Sequence, residues 1–456
     1  MTTLGQDLHQ DVHPARQLLG IVVAAAITFP GLVLVFTHAS LPHPVEALIF
    51  GVAIVGSAFL LSWAAEAAQL DISAGLAIAI LALIAVLPEY AVDFVFAWKG
   101  GAAYEAANFA ACPAPLGGAG EESPCSLALA NMTGANRLLI GIGWTMVVFI
   151  AYSRLKRRGA IVRGRRWAGV QLDRPHAIEL SYLAVATIYS LSLPLKRTIT
   201  LVDAAVLVTI FVLYTVRIAG APAEEPHLVG PARLVGSLST PRRRSAYVAM
   251  MVFAATVILL CAEHFAEALV ASGKELGISE FVLVQWLAPL ASEAPELLIA
   301  GLYAWRLNTN AALGMLVSSK VNQWTLLVGT LPIVFAISSG SLHGLPLDAV
   351  QREEVFLTAA QSFFAITILI NLRMSLREAM FLFGLFWTQF ILGAIVPEDM
   401  HGVERIAVGV VYLMLGLWQI FGERAAVPKL FRDGFRASHD ELQRQNDRAP
   451  GADAGR

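Results

Sequence analysis

Long apolar stretches separated by short polar ones run the whole length of the chain. Twelve are read as membrane-crossing helices, at approximately 17–37, 44–67, 72–97, 126–152, 177–195, 198–218, 245–270, 278–304, 310–337, 353–371, 375–396 and 403–421. A span needs about 20 mostly apolar residues, because a helix rises about 1.5 Å per residue across a hydrocarbon core about 30 Å thick. The pattern predicts an all-α polytopic membrane protein, with a polar start, MTTLGQDLHQDVHPAR, leading into a retained first helix rather than a cleaved leader.

Composition agrees with the pattern. The 456 residues are 57% hydrophobic and 14% charged, against about 25% charged in ordinary soluble domains. The net charge of −2 decides little; its distribution decides more. The loop SRLKRRGAIVRGRRWAGVQLDR carries eight Lys or Arg, and PRRR at 241–244 lies two spans later. Both loops are expected on the cytoplasmic side. Twelve spans with both termini inside then place Arg306, Arg373, Arg377 and the basic tail inside, and the acid-rich HGLPLDAVQREEV and PEDMHGVE outside. A bacterial inner membrane suits the short loops. The residues after 438, HDELQRQNDRAPGADAGR, have the composition of a disordered tail. Cys112 and Cys125 share one loop expected outside, where they either form a bridge or stay as thiols.

Two segments repeat. DISAGLAIAILALIAVLPEYAVDFVFAWK and GISEFVLVQWLAPLASEAPELLIAGLYAWR share Ile-Ser, then Pro-Glu, then an aromatic-Ala-Trp-basic ending. The next spans also align, Ala128-Leu129-Ala130-Asn131 on Ala312-Leu313-Gly314-Met315, running on as MTGAN and LVSSK. Each copy holds five spans, so the two copies face opposite ways across the membrane. That arrangement, with broken helices near the midplane, belongs to secondary transporters. The expected organisation is an N-terminal segment with an extra helix (1–43), a first half (44–218), a basic linker (219–244), a second half (245–396), an extra helix (397–424) and a partly disordered cytoplasmic tail (425–456).

These motifs resemble the cation/calcium exchanger superfamily, with its sodium/calcium exchanger membrane region. That family pairs a Gly-Thr-Ser-x-Pro-Glu helix with a Gly-Asn-x-x-Gly-Ser-Asn helix in each of two inverted repeats. Here the first repeat reads Leu87-Pro88-Glu89, then Ala130-Asn131-Met132-Thr133-Gly134-Ala135-Asn136. The second reads Ala291-Ser292-Glu293-Ala294-Pro295-Glu296, then Gly314-Met315-Leu316-Val317-Ser318-Ser319-Lys320. The resemblance implies a secondary active antiporter that exchanges a metal cation, Ca²⁺ or Na⁺/K⁺, for H⁺ or Na⁺ by alternating access.

The residue chemistry agrees with that reading. A charged side chain at the bilayer centre costs about 2.5–3.5 kcal/mol even on insertion scales. Glu89 and Glu296 are therefore expected to face one another across the repeat interface and hold a hard cation, with the Asn131 oxygen as a third ligand. Pro88 and Pro295 kink their helices and free the carbonyls of Ile84 and Ala291 as further oxygens. Asp93 and Glu293 share faces with these glutamates, and Ser292 keeps a hydroxyl in the motif. The departures bear on the ion. Ala85-Val86 replace the hydroxyl pair of the first repeat, Met315 replaces an asparagine, and Lys320 replaces the final asparagine, which the first repeat keeps as Asn136. With Ser319 beside it, Lys320 is expected to stand in for one transported cation or to snorkel towards the inner face.

Other readings are weaker. His-Glu-x-x-His, Gly-x-Ser-x-Gly and P-loop motifs are absent from the sequence, so an intramembrane enzyme is not expected. A non-transporting ion or pH sensor, or a channel on the same scaffold, is the alternative. Glu263, His264 and Glu267 are read as a helix end at the outer interface rather than a proton relay. Gln323, Gln361 and Gln389 are read as bonds between helices. The expected partners are the lipid bilayer and the transported cations. No cofactor, nucleic acid or protein partner is expected.

Overall fold

The computed structural model describes residues 14–37, 39, 41–71, 87–107, 124–157, 169–220, 228, 230–278, 280–397 and 400–447. The first half contains α1 (Pro14–Ala26), α2 (Phe29–Thr37), α3 (His43–Ala68), α4 (Leu87–Ala106), α5 (Pro124–Leu138) and α6 (Thr145–Arg157). A π-helical segment, Leu139–Trp144, joins α5 to α6. Strand β1 (Gly169–Gln171), α7 (Ala177–Ser190), β2 (Thr198–Ile199) and α8 (Leu201–Ala219) complete it. The second half comes after α9 (Pro231–Gly236): α10 (Thr240–Leu276), α11 (Glu280–Ser292), α12 (Ala294–Trp305), α13 (Thr309–Asn322), a π-helical segment Gln323–Leu327, and α14 (Val328–Ser339). Then come β3 (Leu345–Pro346), α15 (Ala349–Ile368), β4 (Arg373–Ser375), α16 (Leu376–Ile395), α17 (His401–Gly422), α18 (Ala426–Phe435) and α19 (His439–Asp447).

Among the described residues nine helical segments are long and apolar enough to cross a membrane, or ten if the bent pair α11–α12 is one span. The other two expected spans fall on the 20-residue α16 and on α4, whose expected leading part, 72–86, lies outside the described residues. The protein is an integral membrane protein of two inverted repeats.

The inversion is visible in how the halves are tied together. Strand β1, between the third and fourth spans of the first repeat, pairs antiparallel with β4, between the fourth and fifth spans of the second. Strand β2, between the fourth and fifth spans of the first repeat, pairs with β3, between the third and fourth of the second. Each half thus lends one strand to each clasp, and the clasps sit at opposite ends of α7. Both fifth spans start from a capping box directly after their strand: Thr200 with Asp203, and Ser375 with Glu378. In each box the side chains satisfy backbone N–H groups that the first helical turn leaves open. The two π segments also correspond when Ala128 is laid on Ala312. An extra residue per turn in each motif helix rotates the rest of that helix about its axis, a device common at functional sites.

Proline accounts for the break in the second repeat. Pro289 lies inside α11 and offers no N–H to the Gln285 carbonyl four residues back. The chain bends by 54° between α11 and α12, with Glu293 at the junction and Pro295 second in α12. Pro88 is likewise second in α4; Ile84 lies outside the described residues. The Gln285 carbonyl meets α5 instead: a Cβ on Gly134 would lie 1.7 Å from that oxygen. Glycine alone permits so close a backbone approach between the halves.

A buried ionic cluster reinforces this contact. Arg137, on α5, donates to Glu354 Oε2 at 2.6 Å and to the Gln389 side-chain oxygen. Its guanidinium lies 5.1 Å from the Trp286 ring centre. Gln285 Nε2 donates to the same Glu354 oxygen at 2.8 Å, and Arg405 Nε lies 2.8 Å from the other. Gln361 donates to the Arg137 carbonyl at 3.3 Å. Gln361 and Gln389 therefore do bond between helices, as expected.

The tail departs from expectation. Residues 439–447 form α19 rather than a disordered segment, because Leu442 is fully buried and Ser438 Oγ accepts the Glu441 N–H. The preceding α18 docks on α7, where Ser181 Oγ donates to the Leu430 carbonyl at 3.1 Å. The expected basic linker is also partly helical, since PRRR enters α10 and Arg243 grips Asp71 through two bonds of 2.7 and 2.8 Å. Residues 448–456 and Cys112, with the bridge to Cys125 that depends on it, lie outside the described residues.

Gly134→Ala is expected to destabilise the protein by about 1–3 kcal/mol, the range for an overpacked contact. Gly384→Ala, at a site with open space within 4 Å, is the matched control. Melting in detergent reads both, and equal melting of the two variants would show that the α5–α11 approach is not needed. Glu354→Ala strands the buried Arg137 guanidinium, whereas Arg405 keeps Glu353 at 3.1 Å, and is expected to cost about 3–5 kcal/mol. A loss below about 1 kcal/mol would mean that Arg137 is compensated without Glu354.

Candidate cation site

Glu89 is the third residue of α4 and Glu296 the third of α12, each just after the proline of its repeat. Carboxylates in a first turn face the open N–H groups and the positive end of the helix dipole. Glu89 is almost fully buried and Glu293, at the bend, fully so. The two carboxyls stand within electrostatic reach of one another. Gln323 at the start of the second π segment joins them: its Nε2 donates to Glu89 Oε2 at 3.0 Å and also to Glu293 Oε1. Glu296 stands within electrostatic reach of both glutamates but its side chain bonds to neither.

One turn along α4, Asp93 is fully buried and accepts from Asn131 Nδ2 of α5 at 2.8 Å. Its charge also reaches Glu89. The arrangement leaves side-chain oxygens open. Among the described residues, Asp93 Oδ2, Asn131 Oδ1, Glu293 Oε2, Glu296 Oε2 and Gln323 Oε1 are buried with no hydrogen-bond partner. Buried polar atoms are ordinarily paired, because an unmade bond forfeits the hydration that burial removed. Five open oxygens around one carboxyl group of contacts are an exception that asks for a cation or protons. Among the described residues no three His, Cys, Asp or Glu side chains are gathered as a metal cage. An ion here would draw on the two amide oxygens as well.

Lys320 is fully buried, so it does not snorkel to an interface. Its Nζ donates to Asn136 Oδ1 at 2.6 Å and lies 4.4 Å from the Trp324 ring centre. Its hydrogen bonds go to Asn136 rather than to a carboxylate, although its charge is felt by Glu293. Asn136 and Lys320 are equivalent positions of the two repeats, and they touch, as residues beside a pseudo-two-fold axis must.

The remaining expected residues fall outside this group of contacts. Ser292 is buried, but its hydroxyl turns back to the carbonyls of Ala288 and Pro289 at 3.2 and 3.3 Å. Met315 and Ser319 are half-buried on α13. Gln323 ties Glu293, at the bend, to Glu89, so Glu293 stands with the expected pair of Glu89 and Glu296. Gln323 does bond between helices, and its partners place it in the site itself; its position one turn beyond Lys320 is the sequence signal for that role. Glu263 and Glu267 pair with Lys99 at 3.8 and 2.6 Å on an exposed surface, and His264 stacks on Phe50 at 5.3 Å between ring centres. The helix continues to Leu276, so these residues do not mark the helix end expected of them.

The sodium/calcium exchanger protein family matches residues 43–219 and 246–393. No curated protein matches the chain. Among solved structures, the crystal structure of the H⁺/Ca²⁺ exchanger CAX is 39% identical with a TM-score of 0.81, and the match covers 95% of this chain and 100% of that one. Native YfkE is 14% identical with a TM-score of 0.54, covering 87% of this chain and 100% of that one. A selenium-substituted form of YfkE, described as a Ca²⁺/H⁺ antiporter, gives 14% and 0.53 over 87% and 99%. These last two share the fold. With matched segments that span both repeats and a well-covered relative at 39% identity, this chain belongs to the sodium/calcium exchanger family and is a cation antiporter.

Proposed function

We propose that the protein exchanges Ca²⁺ for H⁺ by alternating access, and that Glu89, Glu293, Glu296, Asp93, Asn131 and Gln323 bind the competing ions. The observation that carries this reading is the set of five buried, unpartnered side-chain oxygens around the Glu89–Gln323–Glu293 contact. Ca²⁺ takes six to eight oxygen ligands in flexible geometry and accepts amide as well as carboxylate oxygens. Two neighbouring carboxyls repel when both are ionised. A proton or a metal ion relieves that repulsion, and the two compete for the same oxygens. Similarity to a protein named as an H⁺/Ca²⁺ exchanger supports the choice of ions.

Lys320 supports protons over sodium as the counter-ion. Its amine is fully buried and bonded to Asn136, at the position where the family's motif ends in an asparagine. Ala85, Val86 and Met315 also remove ligands that small monovalent metal ions would use. The bend at Glu293 supplies the moving part. Rocking one repeat against the other would open the site to each side in turn while the carboxyls stay at the centre.

In proteoliposomes with an entrapped pH dye, added Ca²⁺ is expected to drive proton movement, with Na⁺, K⁺ and Mg²⁺ weaker. Glu89→Gln and Glu293→Gln are each expected to reduce it to the level of empty liposomes. Full activity in either variant would remove that carboxyl from the site. Failure of every cation to move protons in the wild type would favour the sensor or channel reading. Lys320→Gln removes the buried amine beside the carboxyls and is expected to alter ion competition at the site, read as a changed response of the rate to Ca²⁺ concentration. An unaltered response would exclude Lys320 from the ion accounting.

A further inference from the structure

A second buried carboxylate lies off the central site. Glu179 sits in the first turn of α7 with its side chain only 7% exposed. Its Oε1 is 3.4 Å from His176 Nδ1 and 3.5 Å from Ser318 Oγ. Its Oε2 is buried with no partner among the described residues. Tyr214 of α8 closes the group, with its hydroxyl 3.2 Å from Ser318 Oγ. The His176 ring packs on the backbone of Gly314, where a Cβ would lie 2.3 Å from the imidazole. These groups come from three helices and converge at the end of the bundle that carries the basic loop.

Their order is directional. His176 is 19% exposed and Glu179 lies behind it. Ser318 is next, on α13, and the same helix then presents Lys320 and leads into Gln323, which holds both central glutamates. From Ser318 to Gln323 the helix climbs only about 7.5 Å. The groups facing Glu179 are His176 on its own turn, Ser318 from α13 and Tyr214 from α8. The nearby Arg174 points instead to Asp433 of α18, at 3.6 Å. His176, at 3.4 Å, is the one cationic side chain within ion-pair distance of Glu179 among the described residues, so no Lys or Arg pairs with it there.

We propose that His176 and Glu179 form a proton-loading station for the central site, an assignment that rests on the Ca²⁺/H⁺ reading above. An imidazolium at His176 passes its proton to the Glu179 carboxylate. The imidazole returns to neutral and the carboxyl becomes neutral in the same step. Histidine suits the outer position because it exchanges protons with water between about pH 5 and 8. Glu179 holds the proton away from water, next to the hydroxyls of Ser318 and Tyr214.

The test compares wild type, Glu179→Gln, Glu179→Asp and His176→Gln in proteoliposomes, recording Ca²⁺-driven proton flux from about pH 5 to 8. Glu179→Gln is expected to lower the maximal rate at least tenfold while half-saturating Ca²⁺ stays within twofold. Glu179→Asp is expected to recover most of the rate. His176→Gln is expected to flatten the pH profile. Wild-type rate and profile in Glu179→Gln would overturn the assignment. So would an equal loss in the Gln and Asp variants, which marks a structural role, or a large shift in half-saturating Ca²⁺, which marks a metal ligand. Absence of proton movement in the wild type would instead sink the Ca²⁺/H⁺ reading itself.

Discussion

The cost of holding carboxyl oxygens away from water organises this molecule. Glu89, Glu293 and Asp93 are all buried inside a helical bundle whose exterior is apolar. None is neutralised by a direct bond to Lys or Arg among the described residues. They are held instead by amides, Gln323 for the two glutamates and Asn131 for the aspartate. An amide orients a carboxyl without supplying a charge. The site is therefore positioned but not compensated, which suits a group that must exchange one positive partner for another. The contrast is Glu354, which two guanidinium groups hold in place. One buried acidic group is held by guanidinium groups, the other by amides.

The fold keeps the uncompensated cluster where both halves can act on it. The strand clasps β1–β4 and β2–β3 bind each repeat to the other at both ends of α7. Between the clasps the halves meet through the Gly134 approach to the Gln285 carbonyl, the Arg137–Glu354 cluster, and the bonds of Lys320 to Asn136 and of Gln323 to Glu89. Only the second repeat is jointed there, at the proline-broken α11–α12.

Much of this is legible in the sequence. The repeat, its inversion, the Pro-Glu pairs and the broken second helix all come from residues whose chemistry is costly in lipid or incompatible with an unbroken helix. The partners within the site are harder to read. Glu296 matches Glu89 by alignment, which gives no sign that Gln323 ties Glu293 to Glu89. Gln323 resembles any polar residue between helices, and only the π segment that starts there turns it onto both glutamates. The docked tail is hidden for a different reason. Composition reports what α19 cannot do alone, whereas the burial of Leu442 depends on the surface it finds.

The meeting of Asn136 and Lys320 has a consequence for how such a protein can arise. Two separate copies of one repeat, assembled head to tail across a membrane, would place each axis residue against itself. Lysine would then face lysine in a buried position, and asparagine would face asparagine. A donor amine on one side and an accepting amide on the other requires that the halves differ. Joining them in one chain lets the two sides of the axis diverge, so that each can carry the group its neighbour needs.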